Sequence, residues 1–200
     1  MIDWLNRYAR KLPTWMVYLI GSVPMPFLFW QGINGQLGVD PVKALEHEYG
    51  ELALQLVIVG LAITPARRHL GLNLLKFRRA IGLLSFFYVL AHLLVWAVLD
   101  VQTLSAVWAD ILKRPYITIG MAGFALLLPL ALTSNNRSVR RLGAGWRKLH
   151  KLTYPAVLLG GVHYIWLVKG WQVEPMIYMA VILSLLMLRL PKRRPRSAPA

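Results

Sequence analysis

The sequence predicts an all-α integral membrane protein, a bundle of six transmembrane helices with both termini in the cytoplasm. Three observations carry that prediction. Of 200 residues, 57% are hydrophobic and only 16% are charged, which leaves too little charged surface for a soluble domain of this size. The charge is lopsided, with 23 Lys and Arg against 8 Asp and Glu and a formal net charge of +15. The apolar residues gather into stretches near the roughly 17–25 residues that a bilayer crossing requires, and every second connection between them is basic. There is no cysteine, which excludes disulfide frameworks, thiolate metal sites, iron–sulfur clusters and thiol nucleophiles.

The first stretch, residues 13–33, follows Arg7, Arg10 and Lys11. A basic start invites a reading as a signal peptide, but no small-residue cleavage site follows, so the segment is expected to be retained. The second, residues 51–66, is short and ends at Arg67 and Arg68; the third, residues 79–99, is entered through Lys76, Arg78 and Arg79. Residues 116–133 form the fourth, after Lys113 and Arg114. Residues 147–168 form the fifth, and 175–190 the sixth, which is again short. Backbone groups inside a bilayer must be satisfied within the segment, so these spans are helices and not strands. Residues 1–190 therefore read as one membrane domain. Residues 191–200, rich in Pro and Arg, read as a disordered basic tail.

Orientation follows from the loops. All but four of the 23 basic residues fall before the first span, between the second and third, around the fourth-to-fifth connection, or after the sixth. The four exceptions are Lys43, Lys113, Arg114 and Lys169. Cytoplasmic loops keep the excess of Lys and Arg, so both termini are expected on that side. The same regular alternation argues against nucleic acid as the partner of the basic clusters. No Gly-rich phosphate loop of the Rossmann or Walker type is present, so no built-in nucleotide-binding domain is expected.

Ionisable groups inside a membrane are costly and therefore candidate functional residues. His69 falls in a basic loop and His47 in an acidic one, where a solvated role suffices. His92 in the third span, and His150 and His163 in the fifth, lie in apolar surroundings. Both spans run from the cytoplasm outward. At 1.5 Å per residue, His92 lies roughly 20 Å beyond Arg79, and His163 about 20 Å beyond His150. His92 and His163 thus share an outer level while His150 stays near the inner surface. Two buried histidines at one depth can hold a metal between them or make interhelical hydrogen bonds. Without a carboxylate or thiolate they do not complete a zinc site, but they do complete the axial coordination of a haem iron. Arg78, Ser85 and His92, spaced by seven, share one helical face. Gly82 offers a flat approach to that face, and Arg78 and Arg79 are candidate partners for haem propionates. On an ideal helix His150 and His163 point about 140° apart, so Pro155 or the Gly160–Gly161 pair would have to bend the fifth span.

Several short motifs occur in order along these spans: GQLGVDPVK at 35–43, ITPAR at 63–67, RRAIGLLSFFYVLAHLLVW at 78–96, KRPYI at 113–117, LTS at 132–134 and LGAGWRKLHKLTYPAVLLGGVHYIWLVK at 142–169. In that order and with six spans, the chain resembles the MsrQ family, formerly YedZ. That family supplies the haem-binding membrane subunit of a bacterial periplasmic methionine-sulfoxide reductase system and is similar to the ferric-reductase-like domain of NADPH oxidases. The broader superfamily carries two histidines on each of the third and fifth spans, for two stacked haems. Here the fifth keeps both, while the third keeps His92 and has Arg78 at the other position.

The resemblance implies an inner-membrane electron-transfer subunit, and not the catalytic one, holding one or two haems b through His92, His163 and His150. It implies electrons from the quinone pool or a separate flavin reductase. They would be delivered to a periplasmic molybdopterin-dependent methionine-sulfoxide reductase that repairs oxidised proteins. It also implies FMN, for which no motif marks a site; the cytoplasmic basic loops are the only candidates. The outer loops 35–51 and 101–114, with Asp40, Glu46, Glu48 and Glu51, are the expected docking surface. Two other readings stand beside this one. The first is direct reduction of ferric or cupric ions, which needs no partner protein. The second is a haem-free transporter or scaffold, although no Asp or Glu sits in the middle of a span to couple transport to protons.

Overall fold

Proline, glycine and charge divide the chain into helices, and the computed structural model, which describes residues 2–168 and 172–190, contains no strand among the described residues. The predicted basic tail, 191–200, lies outside the described residues. The helices are α1 (Ile2–Lys11), α2 (Thr14–Ser22), α3 (Pro24–Ile33), α4 (Pro41–Leu70), α5 (Arg78–Leu94), α6 (Leu104–Lys113), α7 (Pro115–Leu132), α8 (Asn136–Leu142), α9 (Ala144–Leu149), α10 (Thr153–Leu167) and α11 (Val173–Met187). Four stretches are long and apolar enough to cross a membrane: Thr14–Ile33, Pro41–Leu70, Leu75–Asp100 and Pro115–Leu132. The first comprises α2 and α3, whose joint at Val23 keeps helical dihedrals while Pro24 starts the second piece. The apolar helices α10 and α11 have 15 residues each, less than the length of a full crossing.

Two boundaries differ from the sequence reading. The second span was expected from residue 51, but α4 starts at Pro41. Asp40 caps it by accepting from the Lys43 N–H at 3.2 Å, and Pro41 takes the first position, where no N–H is needed. Glu46, His47 and Glu48 are therefore helical and not part of a loop. The fifth span is interrupted, because a 3₁₀ turn at His150–Leu152 separates α9 from α10.

The 30-residue α4 contains Pro65 and ends at Gly71, which adopts φ 72°. A left-handed residue closing a helix favours glycine. Pro65 has no N–H, so the carbonyl four residues earlier, Leu61, loses its helical donor. Arg189, just after α11, fills the gap. Its Nε and one terminal nitrogen donate to the Leu61 carbonyl at 3.0 and 2.6 Å, and its other terminal nitrogen donates to the Tyr154 hydroxyl at 3.3 Å. One arginine thus joins α4, α10 and α11 at their shared end.

The most extensive helix contacts are α4 with α5 and α7 with α10. The face of α5 carrying Ala80, Ile81, Leu84, Ser85 and Tyr88 is buried, at the three-and-four spacing of one helical stripe. Ser85 donates to the Ala53 carbonyl of α4 at 2.9 Å. The Tyr88 and Tyr49 hydroxyls donate to the carbonyls of Gly21 and Met25 around the α2–α3 joint, at 2.8 and 2.6 Å. After Leu94 the third span loosens into a π-helical turn, Val95–Asp100. Such turns often occur beside functional residues, and this one starts three residues after His92. The amphipathic α1 is tied to the α4–α5 connection. The Asn6 side chain bonds both the Gly71 carbonyl and the Asn73 N–H, and Lys76 Nζ donates to the Arg10 and Leu12 carbonyls. Large apolar side chains such as Ile20, Phe27, Phe87 and Ile177 remain more than half exposed, as a bilayer-facing surface requires.

Candidate functional site

The helix pairs α4–α5 and α7–α10 each present one histidine to a common space. His92 on α5 sets Nδ1 2.8 Å from the Glu46 carbonyl of α4, and His163 on α10 sets Nδ1 2.6 Å from the Tyr116 carbonyl of α7. A carbonyl only accepts, so each Nδ1 carries the proton and each Nε2 keeps its lone pair. This is the tautomer of a metal-ligating histidine fixed by its second nitrogen. The two rings lie 6.2 Å apart between centroids with planes crossed at 82°. Two imidazoles bound on opposite sides of one metal, with each nitrogen about 2 Å from it, have their centroids about 6 Å apart. The expected shared depth of His92 and His163 is thus realised as direct proximity.

Both rings line a cavity of about 410 Å³ between α4, α5, α7 and α10. That is within the range of small-molecule and cofactor sites, about 300–1,000 Å³. Its walls are largely apolar, including Val57, Val89, Phe124, Leu127 and Val157. Where α4 and α7 begin and the π turn ends, the lining becomes polar, with Lys43, Glu46, His47, Asp100, Arg114 and Tyr116. Arg114 precedes α7 and donates to the Tyr116 hydroxyl at 3.2 Å and pairs with Asp110 at 3.4 Å. The hydrogen bond to Tyr116 is the main reason its guanidinium lies above its already high ordinary value, so it is a permanent cation at that end.

The other predicted residues are placed elsewhere. His150 is near the opposite end of α7. Its Nε2 is 3.2 Å from Thr133 Oγ1, and its ring stacks on Trp146 at 3.8 Å. Tyr116 and Thr133 are separated along α7 by about 25 Å at helical rise. Arg78 and Arg79 open α5 within electrostatic reach of His150, and Arg79 donates to Asn136 at 2.7 Å. Arg78, Arg79 and His150 therefore gather at one end and His92 with His163 at the other. Ser85 is spent on its bond to α4, and Gly82 is exposed with open space where a side chain would be. Sequence reasoning did not assign Lys43, Arg114 and His47 to the site; His47 lines the cavity and meets Tyr164 edge-on at 5.6 Å. For Lys43 and His47 the available signal is the Asp40–Pro41 start of α4; for Arg114 it is the proline that follows it at the start of α7.

No group of three His, Cys, Asp or Glu among the described residues is placed to hold a metal ion by itself. The pair supplies two neutral nitrogens at one cavity with largely apolar walls. It suits a metal whose remaining ligands come from a macrocycle, and it does not make a closed zinc site.

Residues 49–161 match the family described as ferric reductase like transmembrane component, which sets the class: a multi-pass helical membrane protein of the ferric-reductase-like type. Within that class the chain belongs to the MsrQ family. It is 50% identical over 179 residues to the protein-methionine-sulfoxide reductase heme-binding subunits MsrQ of Brucella ovis, Brucella canis and Brucella suis, covering 89% of this chain and 81% of each relative. No solved structure matches it significantly.

Proposed function

We propose that this chain is the haem b electron-transfer subunit of a periplasmic methionine-sulfoxide reductase system, whose haem iron His92 and His163 would hold. The observation that carries the reading is the pair of imidazoles with each Nδ1 held by a carbonyl and each Nε2 left for a metal. The relatives' printed name, a heme-binding subunit, agrees with it. When bound, the haem supplies reversible one-electron chemistry. The chain's part is to hold the iron by two neutral nitrogens, to surround the ring with apolar walls, and to offer Lys43 and Arg114 to the propionates. Arg78 and Arg79, the expected propionate partners, lie at the wrong end for this site. A second, inner haem would rest on His150, with no histidine opposite it.

The membrane arrangement we infer has six spans in the bacterial inner membrane, with both termini cytoplasmic. The α1 clamp to residues 71–76 and the Arg68 bond to the Leu190 carbonyl support it by keeping both ends of the described chain beside one basic loop. Electrons come from the quinone pool or a separate flavin reductase and leave on the outer side toward a molybdopterin-dependent reductase. Of the acidic residues read as a docking surface, Glu51 is used internally, accepting from Gln55 and Tyr178 at 2.8 and 2.9 Å. Asp40 caps α4 and pairs with Lys43 at 3.5 Å, whereas Glu48 is exposed. FMN, which the resemblance implies, is assigned in this reading to the basic loops on the cytoplasmic side.

The test is the dithionite-reduced minus oxidised visible spectrum of the purified protein beside His92→Ala, His150→Ala and His163→Ala. Loss of the main b-type signal in the first and third, with a smaller loss in the second, is expected. A flat spectrum from folded, haem-supplied wild type would overturn the reading. The family description favours one rival, direct reduction of ferric or cupric ions. Reduction of metal chelates without electron transfer to a purified periplasmic reductase would select it.

A further inference from the structure

The two histidines are held by one device used twice. In each helix pair the imidazole bonds the carbonyl of residue n on the neighbouring helix, and residue n+4 of that helix is glycine: Glu46 and Gly50 on α4, Tyr116 and Gly120 on α7. In an α-helix the carbonyl of residue n already accepts from the N–H of residue n+4. A second donor must therefore approach beside residue n+4, where a side chain would stand. A Cβ on Gly50 would lie 3.0 Å from His92 Nδ1, and one on Gly120 would lie 2.8 Å from His163 Nδ1, with Cε1 atoms at 3.3 and 3.0 Å. These ring atoms are not the far end of a flexible chain, because each Nδ1 is held to a backbone carbonyl. The ring would have to tilt or give up its bond. Crowding of this kind is not general to the glycines of these helices, since a Cβ on Gly60 meets only Ile81 at 3.6 Å and one on Gly82 meets nothing.

We propose that Gly50 and Gly120 are positioning residues that fix the planes of the two imidazoles, and through them the properties of the metal held between. The inference rests on the haem reading above. It gives the duplicated helix pair a purpose: identical supports on α4 and α7 set the rings at 82° to each other. Crossed imidazole planes donate into different d orbitals of a low-spin ferric iron and leave those orbitals nearly equal in energy. The ferric protein should then give a strongly anisotropic low-spin EPR signal, whereas parallel planes give a rhombic one.

The experiment compares EPR spectra and midpoint potentials of haem-loaded wild type, Gly50→Ala and Gly120→Ala. Two controls accompany them. Gly60→Ala has room for its methyl group, and Gly161→Ala crowds Met179 Cε at 2.7 Å, testing overpacking that does not touch either imidazole. Both histidine-side variants should shift the EPR signal toward rhombic and displace the potential, while both controls keep the wild-type values. Gly50→Ala and Gly120→Ala loading haem with unchanged EPR and potential would overturn the proposal. So would a rhombic, parallel-plane signal from wild type, which decides the matter even where a variant does not fold. Folded wild type without haem would instead remove the parent reading.

Discussion

At the scale of single residues, the site depends on which nitrogen of each histidine is free. The Glu46 and Tyr116 carbonyls hold the Nδ1 protons, so replacing His92 or His163 by Gln, which keeps hydrogen-bonding capacity, should still remove the low-spin haem signal. Retention of that signal in both variants would mean the ligands lie elsewhere. The polar end makes a second prediction. Lys43→Gln and Arg114→Gln each remove a cation beside the expected propionates, and each should lower the haem midpoint potential because the reduced, less positive iron loses a favourable field. An interaction of about 1 kcal/mol, as for charges near a protein surface, corresponds to tens of millivolts. Redox titration of the two variants beside Arg79→Gln checks it. An equal or larger shift in Arg79→Gln would place the propionates at the other end. The histidine pair itself was legible in the sequence, because two spans of the same direction can be compared in depth by counting residues. The carbonyls that hold the rings were not legible, since a backbone acceptor has no residue type.

At the scale of elements, charge concealed helix and caps revealed it. Lys43, Glu46 and Glu48 lower the hydropathy of the first turns of α4, which made residue 51 look like the start; the Asp40–Pro41 pair is the local signal that the helix begins earlier. The 3₁₀ turn at His150–Leu152 had no comparable mark. The expected source of a bend was Pro155 or Gly160–Gly161, yet Pro155 sits in the first turn of α10, where proline is tolerated. The Pro65–Arg189 arrangement gives a prediction of its own. Arg189→Met leaves the Leu61 carbonyl without a donor at a position where Leu61 is only 2% exposed, and should destabilise the detergent-solubilised protein by about 1–3 kcal/mol. Pro65→Ala restores a helical N–H to that carbonyl, so in its background the same substitution should cost less, by a coupling of about 1 kcal/mol. Thermal unfolding of the four proteins in the cycle measures it. Strict additivity would mean that Arg189 is held for other reasons, such as its contact with Tyr154.

At the scale of the whole molecule, the inference to be tested is direction, because electrons can be delivered outside only if the imidazole pair lies at the outer face. On the proposed orientation, basic residues in alternate connections would put residues 67–79 and 134–151 in the cytoplasm, and the hydrogen bonds of α1 and Leu190 hold both ends of the described chain to the first of those connections. The helices α4 and α7 then begin at the opposite face, and that is where Glu46 and Tyr116 hold the histidines. The chain has no cysteine, so single cysteines report position without background. In intact spheroplasts, Ser105→Cys in α6 should react with a membrane-impermeant maleimide, and Arg140→Cys in α8 should react only after the membrane is opened. Both residues are exposed in the fold, so failure to label reflects the membrane and not burial. The reverse pattern would place the histidine pair at the cytoplasmic face, and delivery of electrons to a periplasmic reductase could not proceed from it.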